Sequence, residues 1–479
     1  LPEPSDSLNT DLLLSRVCTA IDTLIECAKT HHGLFPSIID RDTNTMIEEM
    51  PPPIAGQRNA DRAHLGSNLI HDEATLRTMY GLATALDRPQ YAEAADAYLQ
   101  RFASHCTDTG SGLFPWGEHS FWHLVEDRVG NSYKQVPGEK RILPIHDHLR
   151  QTPVWLWEKL YAFNPACVER FARGLQYHWI DDERSEYIRH ANIEVKEYLE
   201  QHARSCDFPR HGGFYILDWA FAFNQTGEPE FLSQIRTMTD YWWPKRDERC
   251  LLLIESRAPE TADRFHNVNA PGQTLSLGIS LLESAELLET DDAELLATMR
   301  ERGLVYLEGF LNAPHDIENG IYVILCHRET GAITETMSIW GSVYGVWPVS
   351  YTALMALRAW QLTGDERILE WAKSAGCHYL REPLPVGVAI PAMDAGLALG
   401  LLADLFQVTG DSEWLEGGMT LANTLIDAYF DKELPRGAAG IDWYESQMGP
   451  GFLLHGLARL ALLARDNDNC PLEGDYTAR

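Results

Sequence analysis

An all-α fold, a closed ring of about six to seven helical hairpins with few short strands, is what the sequence predicts. Three observations carry it: amphipathic runs at helical spacing recur along the 479 residues, strand-like alternation is scarce, and one helix-to-helix junction is repeated. The composition, 45% hydrophobic and 23% charged, supplies the core such a ring needs and excludes disorder or a fibrous fold.

In the first run, 12–30, the residues Val17, Ile21, Leu24, Ile25 and Ala28 fall at i, i+4, i+7, i+8 and i+11, the stripe of one buried helix face. That run stops at His31-His32-Gly33. Runs of the same kind follow at 73–86, 91–105, 153–163, 165–178, 275–288, 351–363, 368–379, 393–409 and 419–428, and 320–326 is the best strand candidate. The strings Gln225-Thr226-Gly227-Glu228, Leu362-Thr363-Gly364-Asp365 and Val408-Thr409-Gly410-Asp411, each followed by an apolar pair, share one grammar. A glycine closes one helix, and an acid opens the next, where the positive end of the helix dipole favours it. Gly364 and Gly410 stand 46 residues apart, the length of two helices and their connections. Ten or more helices so paired read as an (α/α) toroid in one domain, residues 1–479. Gly33-Leu34-Phe35-Pro36 and Gly112-Leu113-Phe114-Pro115 place similar loops after two early helices, and loops on one rim would line the central cleft.

Lys and Arg number 39 against 70 Asp and Glu, a formal net charge of -31. This excludes the basic footprint of a nucleic-acid or anionic-membrane surface, and an anionic substrate must be met by locally placed arginines. No stretch reaches the roughly 18 uninterrupted apolar residues of a membrane span. Leu1 is not Met, which leaves the compartment open between periplasmic or secreted and cytoplasmic, and the oligomeric state is equally unread. The nine cysteines are scattered without a Cys-x-x-Cys pair and read mostly as buried small hydrophobes.

The long polar, aromatic-rich loops 114–133 and 181–214 have little use in a helical scaffold and point to chemistry. Phe114-Pro115-Trp116-Gly117-Glu118-His119-Ser120-Phe121-Trp122-His123 and then Ile145-His146-Asp147-His148-Leu149-Arg150 gather imidazoles, carboxylates and indoles. Imidazole and carboxylate ligate divalent cations, and Trp faces stack on sugar C–H surfaces. Two Arg-His pairs follow, Tyr187-Ile188-Arg189-His190 and Phe208-Pro209-Arg210-His211-Gly212-Gly213, the second leading to Tyr215, with a glycine pair that would let backbone approach a ligand. A guanidinium fork beside metal ligands suits a uronate carboxylate. Further rim loops carry Trp340, Tyr344 and Trp347, and later Tyr444, Glu445 and Gln447. The candidate sugar contacts are Trp116, Glu118, Trp122, His148, Tyr215, Tyr344, Tyr444 and Glu445. No phosphate-binding glycine loop, His-Glu-x-x-His helix or Gly-x-Ser-x-Gly elbow is present, which disfavours kinases, zincins and α/β-hydrolases.

Through Gly117-Glu118-His119-Ser120-Phe121, His146-Asp147 with Pro153 following, Asn164-Pro165-Ala166 and Arg189-His190, the stretch 111–213 resembles the metal-dependent pectate lyases of polysaccharide lyase family two. The resemblance implies His119, Asp147 and His190 as ligands of a divalent cation and Arg189 as the Brønsted base. Asp147 stands where that family has a longer Glu, Ile188 and Ala191 depart from its Asn-Arg-His-Gly, and Arg210-His211-Gly212 competes for the role. An arginine base conflicts with a solution pKa above about 12, so Tyr187 or a neighbouring His is the conventional alternative. Two imidazoles and a carboxylate suit manganese, nickel, cobalt or zinc better than calcium. The expected activity is metal-assisted β-elimination on a uronic-acid glycan. Two rivals stand beside it: a glycoside hydrolase on the same fold, with Glu118 or Asp147 paired to another acid, and a non-catalytic carbohydrate-binding protein.

Overall fold

The structure is a computed structural model that describes residues 10–135, 145–148, 152–200, 205–260, 264–341 and 347–474, with backbone alone at 134–135 and 146–148. Fourteen helices run in chain order among the described residues: α1 (Thr10–Ala28), α2 (Leu69–Ala85), α3 (Pro89–Arg101), α4 (Val154–Phe163), α5 (Pro165–Gly174), α6 (Pro209–Thr226) and α7 (Pro229–Trp242), then α8 (Pro271–Leu287), α9 (Ala293–Leu311), α10 (Val349–Thr363), α11 (Glu366–Arg381), α12 (Ala392–Thr409), α13 (Ser412–Tyr429) and α14 (Pro450–Arg465).

The even-numbered helices form the inner ring. Each of α6, α8, α10 and α12 packs on the next even-numbered helix, and α14 packs back on α2. Trp155 Nε1 on α4 donates to Glu73 of α2 at 2.9 Å and Trp157 Nε1 to Asp218 of α6 at 2.7 Å, which closes the circle. The odd-numbered helices stand outside, so the fold is an (α/α) toroid of seven inner and seven outer helices. Burial follows this division: α12 is buried along nearly its whole length, whereas α11 and α13 bury one stripe each. α12 is long and apolar enough to cross a membrane, yet here it is walled in by α10, α13 and α14. Gly396 permits that closeness, since a Cβ there would lie 2.2 Å from the carbonyl carbon of Phe452 on α14.

The repeated junctions fold as their residues dictate. Gly227, Gly364 and Gly410 close α6, α10 and α12 at φ of 71°, 69° and 69°, the left-handed region that glycine occupies freely. Asp365 and Asp411 then cap α11 and α13, each accepting a backbone N–H at 3.0 Å. These tight turns all lie at one end of the ring. The long connections lie at the other, ahead of the N-termini of the inner helices.

Among the described residues thirteen short strands lace those long loops together, a device that the scarcity of alternation in the sequence concealed. β1 (Ile38–Asp40) and β2 (Thr45–Met46) precede α2 together with β3 (Gly66–Ser67), while β4 (Ser120–His123), β5 (Arg128–Asn131) and β6 (His146–His148) precede α4. β7 (His190–Asn192) and β8 (Cys206–Asp207) precede α6, β9 (Glu255–Ser256) and β10 (Val268–Asn269) precede α8, β11 (Val323–His327) and β12 (Ile333–Thr336) precede α10, and β13 (Trp443–Glu445) precedes α14. Each sheet bridges two neighbouring loops: β13-β1-β2, β3-β4-β5, β6-β7, β8-β9 and β10-β11-β12.

The segment from Pro209 to Gly213, expected as a ligand-facing loop, is instead the first turn of α6. Its glycines serve helix packing: a Cβ on Gly212 would meet Trp242 Nε1 at 2.4 Å and one on Gly213 would meet Ser280 Cβ at 2.8 Å. Pro209 at the helix start explains the difference, because proline at N1 lacks only an N–H that would be unpaired there anyway.

At the head of α2, Asp72 is completely buried and accepts from Tyr98 Oη at 2.8 Å, and loss of water pushes its carboxyl up to about 8. A folded value above the unfolded one means that this group's stabilisation is complete below about pH 4 and is lost as pH rises toward 8. Asp72→Asn removes that titration. The stability of the variant relative to wild type, read from urea midpoints, should therefore improve by at least about 1.4 kcal/mol between pH 5 and pH 9; a difference constant with pH would refute the assignment.

Candidate functional site

The loops before α2, α4 and α6 meet around His119. Gly117, at φ 85° and with its carbonyl accepting from Asn68 Nδ2 at 2.8 Å, turns the chain so that Glu118 and His119 enter the interior just before β4. Asp61 arrives from the loop before α2 on a short 3-10 turn, Asn59–Asp61. Asp61, Glu118 and His119 are all buried, and one ligand atom from each lies within 4.8 Å of the others. His119 Nδ1 is 3.3 Å from Asp61 Oδ1 and 3.3 Å from the Ala60 carbonyl, while its Nε2 is 3.9 Å from Glu118 Oε2. Burial pushes the Asp61 carboxyl upward, opposed by its hydrogen bond with His119 and reinforced by the charge of Glu118. Arg58 Nε stands 3.5 Å from Asp61 Oδ2, and the Tyr133 ring lies 4.9 Å from that of His119.

His190 opens β7, and its ring lies 5.3 Å from that of His119. In the β6–β7 register His148 stands opposite His190 and Asp147 opposite Ala191. The side chains of Asp147 and His148 lie outside the described residues, as does the whole of Tyr344. Arg189 Nη1 donates to the Cys206 carbonyl at 2.5 Å, and its guanidinium rests on the Phe208 ring at 5.2 Å. Arg210, in the first turn of α6, leans on the same ring at 5.8 Å. His211 is buried, with the Phe208 and Phe214 rings 5.6 and 5.7 Å away.

Other residues expected at a site lie elsewhere. Trp116 is fully buried among Phe102, Phe114, Trp157 and Phe171, so both ring faces are occupied by core and none is left for a sugar. Tyr215 is likewise buried, with its hydroxyl 3.0 Å from His178 Nδ1. Tyr187 is buried too, its hydroxyl donating to the Phe208 carbonyl at 2.7 Å. Trp122 is nearly buried and is pinned by Nε1 to Asp127 at 2.9 Å. Tyr444 is buried opposite Ile39, and Glu445 forms a buried ion pair with Arg62. Sequence reasoning missed Asp61. Its Asn59-Ala60-Asp61-Arg62 context carries no motif, and it reaches His119 only because the ring brings the loop before α2 against the loop before α4.

No curated protein matches the sequence. Several solved structures share its course at low identity. A family 76 α-mannanase from Bacteroides thetaiotaomicron is 11% identical with a TM-score of 0.45, covering 96% of this chain and 98% of its own. Cellobiose 2-epimerase from Bacillus thermoamylovorans is 10% identical with a TM-score of 0.47, over 94% and 98%. Unsaturated glucuronyl hydrolase from Bacillus sp. GL1 is 12% identical with a TM-score of 0.45, over 94% and 96%. A family model described as periplasmic pectate lyase matches residues 48–217. Over that segment, which carries Asp61, Glu118, His119, Arg189, His190 and Arg210, the chain is similar to periplasmic pectate lyases.

Proposed function

We propose that the protein is a carbohydrate-processing enzyme that cleaves a uronic-acid glycan by metal-assisted β-elimination. The observation that carries this reading is the convergence of His119 with Asp61, Glu118 and His190 beside Arg189. Two buried carboxylates and an imidazole gather negative charge that burial disfavours unless a cation compensates it. One ligand atom from each of Asp61, Glu118 and His119 lies within 4.8 Å of the others, so a single cation with bonds of about 2.0–2.2 Å would draw them closer together. Asp61, Glu118 and His119 would hold a divalent cation, with His190 completing the set. Imidazole with carboxylate favours manganese, nickel, cobalt or zinc over calcium.

A bound cation supplies Lewis acidity toward a uronate carboxylate, which makes the neighbouring C5 proton more acidic. The remaining work falls to the chain. Arg189 is assigned the C5 proton: the C5–H bond breaks, C4 and C5 become doubly bonded, and the C4–O bond breaks to release an oxygen that takes up a proton. Arg189 is positioned by the Cys206 carbonyl and the Phe208 ring.

For an inverting hydrolase the acid pair would stand about 6.5–9.5 Å apart and for a retaining one about 5–5.5 Å; Asp61 and Glu118, with ligand atoms within 4.8 Å, are too close for the inverting form. The test is ultraviolet absorbance of the conjugated double bond during incubation with uronic-acid glycans, with added divalent cation and in parallel with chelator. The expected result is a rise that chelator abolishes. New reducing ends without absorbance, indifferent to chelator, would replace elimination with hydrolysis.

A further inference from the structure

The register of β7 decides which way Arg189 and His190 point, and the sheet to which β7 belongs is too small to fix it. β6 and β7 pair over three residues each. A slip of one residue would turn every side chain of the strand to the opposite face. The strand therefore needs a hold from outside its own ladder, and the chain supplies one just upstream.

α5 runs into a 3-10 turn, Leu175–His178, after which Trp179 is extended and bridges Tyr187 in the antiparallel sense. Trp179 is itself pinned, its Nε1 donating to Gln234 of α7 at 3.1 Å. The chain between folds back as a hairpin, with the Ile180 N–H donating to the Glu186 carbonyl at 3.1 Å. His178 and Ile188 face each other at its neck. The Ile188 N–H donates to the His178 carbonyl at 2.7 Å, and His178 Nδ1 donates to the Ile188 carbonyl at 2.9 Å. In an ordinary antiparallel pair the second bond would come from the backbone amide of residue 178, but a residue that ends a 3-10 turn directs its amide back along that turn. The imidazole replaces it. A carbonyl can only accept, so Nδ1 carries the proton.

His178 and Ile188 are both buried, so water does not take over either bond. Tyr215 of α6 places its hydroxyl 3.0 Å from the same Nδ1 and its ring 4.8 Å from the imidazole, which ties the neck to an inner helix. On the other flank the Tyr187 hydroxyl donates to the Phe208 carbonyl. Residues 187 and 188 are thus fixed immediately ahead of Arg189.

We infer that His178 is a positioning residue for the site: its Nδ1–H, bonded to the Ile188 carbonyl, sets the register from which Arg189 reaches the Cys206 carbonyl and His190 faces His119. This rests on the reading of Arg189 and His190 as residues of the reaction site. His178 acts through the backbone that it holds.

The test compares His178→Asn, whose amide N–H can replace the ring Nδ1–H, with His178→Leu, which fills the space and donates nothing. Elimination from polygalacturonate with added divalent cation is measured alongside cobalt titration of the full-length chain, followed by visible absorbance. His178→Leu should lower kcat about 10- to 100-fold with KM changed less than about threefold, and weaken cobalt binding by a similar factor, the range for losing a group that orients a ligand. His178→Asn should recover most of both. Long-range proton–nitrogen correlation spectra of the wild type, which need no variant to fold, should show the His178 proton on Nδ1; a proton on Nε2 alone would overturn the assignment. Full kcat in His178→Leu, or equal losses in His178→Leu and His178→Asn, would overturn it and leave the lyase reading intact. A loss that follows a lowered urea midpoint and is reversed by cooling would reduce His178 to a structural role. No double bond from wild type under any metal condition, with cobalt affinity still lost in His178→Leu and regained in His178→Asn, would uphold the positioning and reject the lyase. Neither elimination nor cobalt binding by wild type would remove both.

Discussion

Replacing Arg189 with alanine should lower the rate of elimination about 10²- to 10⁴-fold, the range that removal of a positioned general base produces, while a divalent cation still binds. The separation of the two effects follows from placement. Arg189 reaches the Cys206 carbonyl and the Phe208 ring, whereas the candidate ligand atoms belong to Asp61, Glu118 and His119. Arg189→Lys keeps a cation but cannot reproduce the planar fork and should recover little activity. Tyr187→Phe is the control. The Tyr187 hydroxyl is buried, already donates to a carbonyl, and is held far above its ordinary titration range chiefly by burial. Its loss should perturb folding more than proton transfer. A Tyr187→Phe enzyme as impaired as Arg189→Ala, with intact stability, would transfer the base role to the tyrosine.

What could be read in advance divides along local and non-local lines. Helical stripes and the Gly227, Gly364 and Gly410 closures are written in residues three to eight apart, and the ring in the 46-residue recurrence of the Gly364 and Gly410 closures, so these were legible. The local run Glu118-His119 is marked as a candidate by its neighbours along the chain, and the fold buries both residues beside Asp61. The strand belt was not legible, because two-residue strands such as β3 and β8 are too short for alternation to show. Trp116, Tyr215 and Tyr444 misled for a related reason. An aromatic residue beside polar neighbours resembles a sugar platform in sequence, and only packing reveals that core side chains enclose it. Asp61 is the converse case: an acid without local signal that acquires a role from a partner 58 positions away.

The same long-range closure predicts a large loss of stability on replacing Glu445 with alanine. Glu445 sits on β13, opposite Ile38 of β1, where the loop before the last helix is sewn to the loop before the first inner one. Arg62 grips it with both arms, Nε to Oε1 at 2.6 Å and Nη2 to Oε2 at 2.8 Å, and Gln57 and Trp443 donate to the same carboxylate. Side-chain exposures of 0% and 1% leave no water to take over if one partner is removed. Stranding a buried charge in this way costs about 3–5 kcal/mol, which urea unfolding would register as a lowered midpoint. Glu445→Gln should forfeit most of the same energy, since an amide fills the space but cannot neutralise Arg62. Arg62→Met combined with Glu445→Leu should be less destabilising than either charge deletion alone, and the double-mutant cycle would measure the coupling directly. A loss below about 1 kcal/mol for Glu445→Ala would mean that Arg62 finds another anion. The consequence reaches the site because Arg62 follows Asp61 immediately: slackening the grip on Glu445 frees the turn that presents Asp61 to His119. Cation affinity of Glu445→Ala should therefore fall even at temperatures where the ring is still folded, although Glu445 lies outside the candidate ligand cluster.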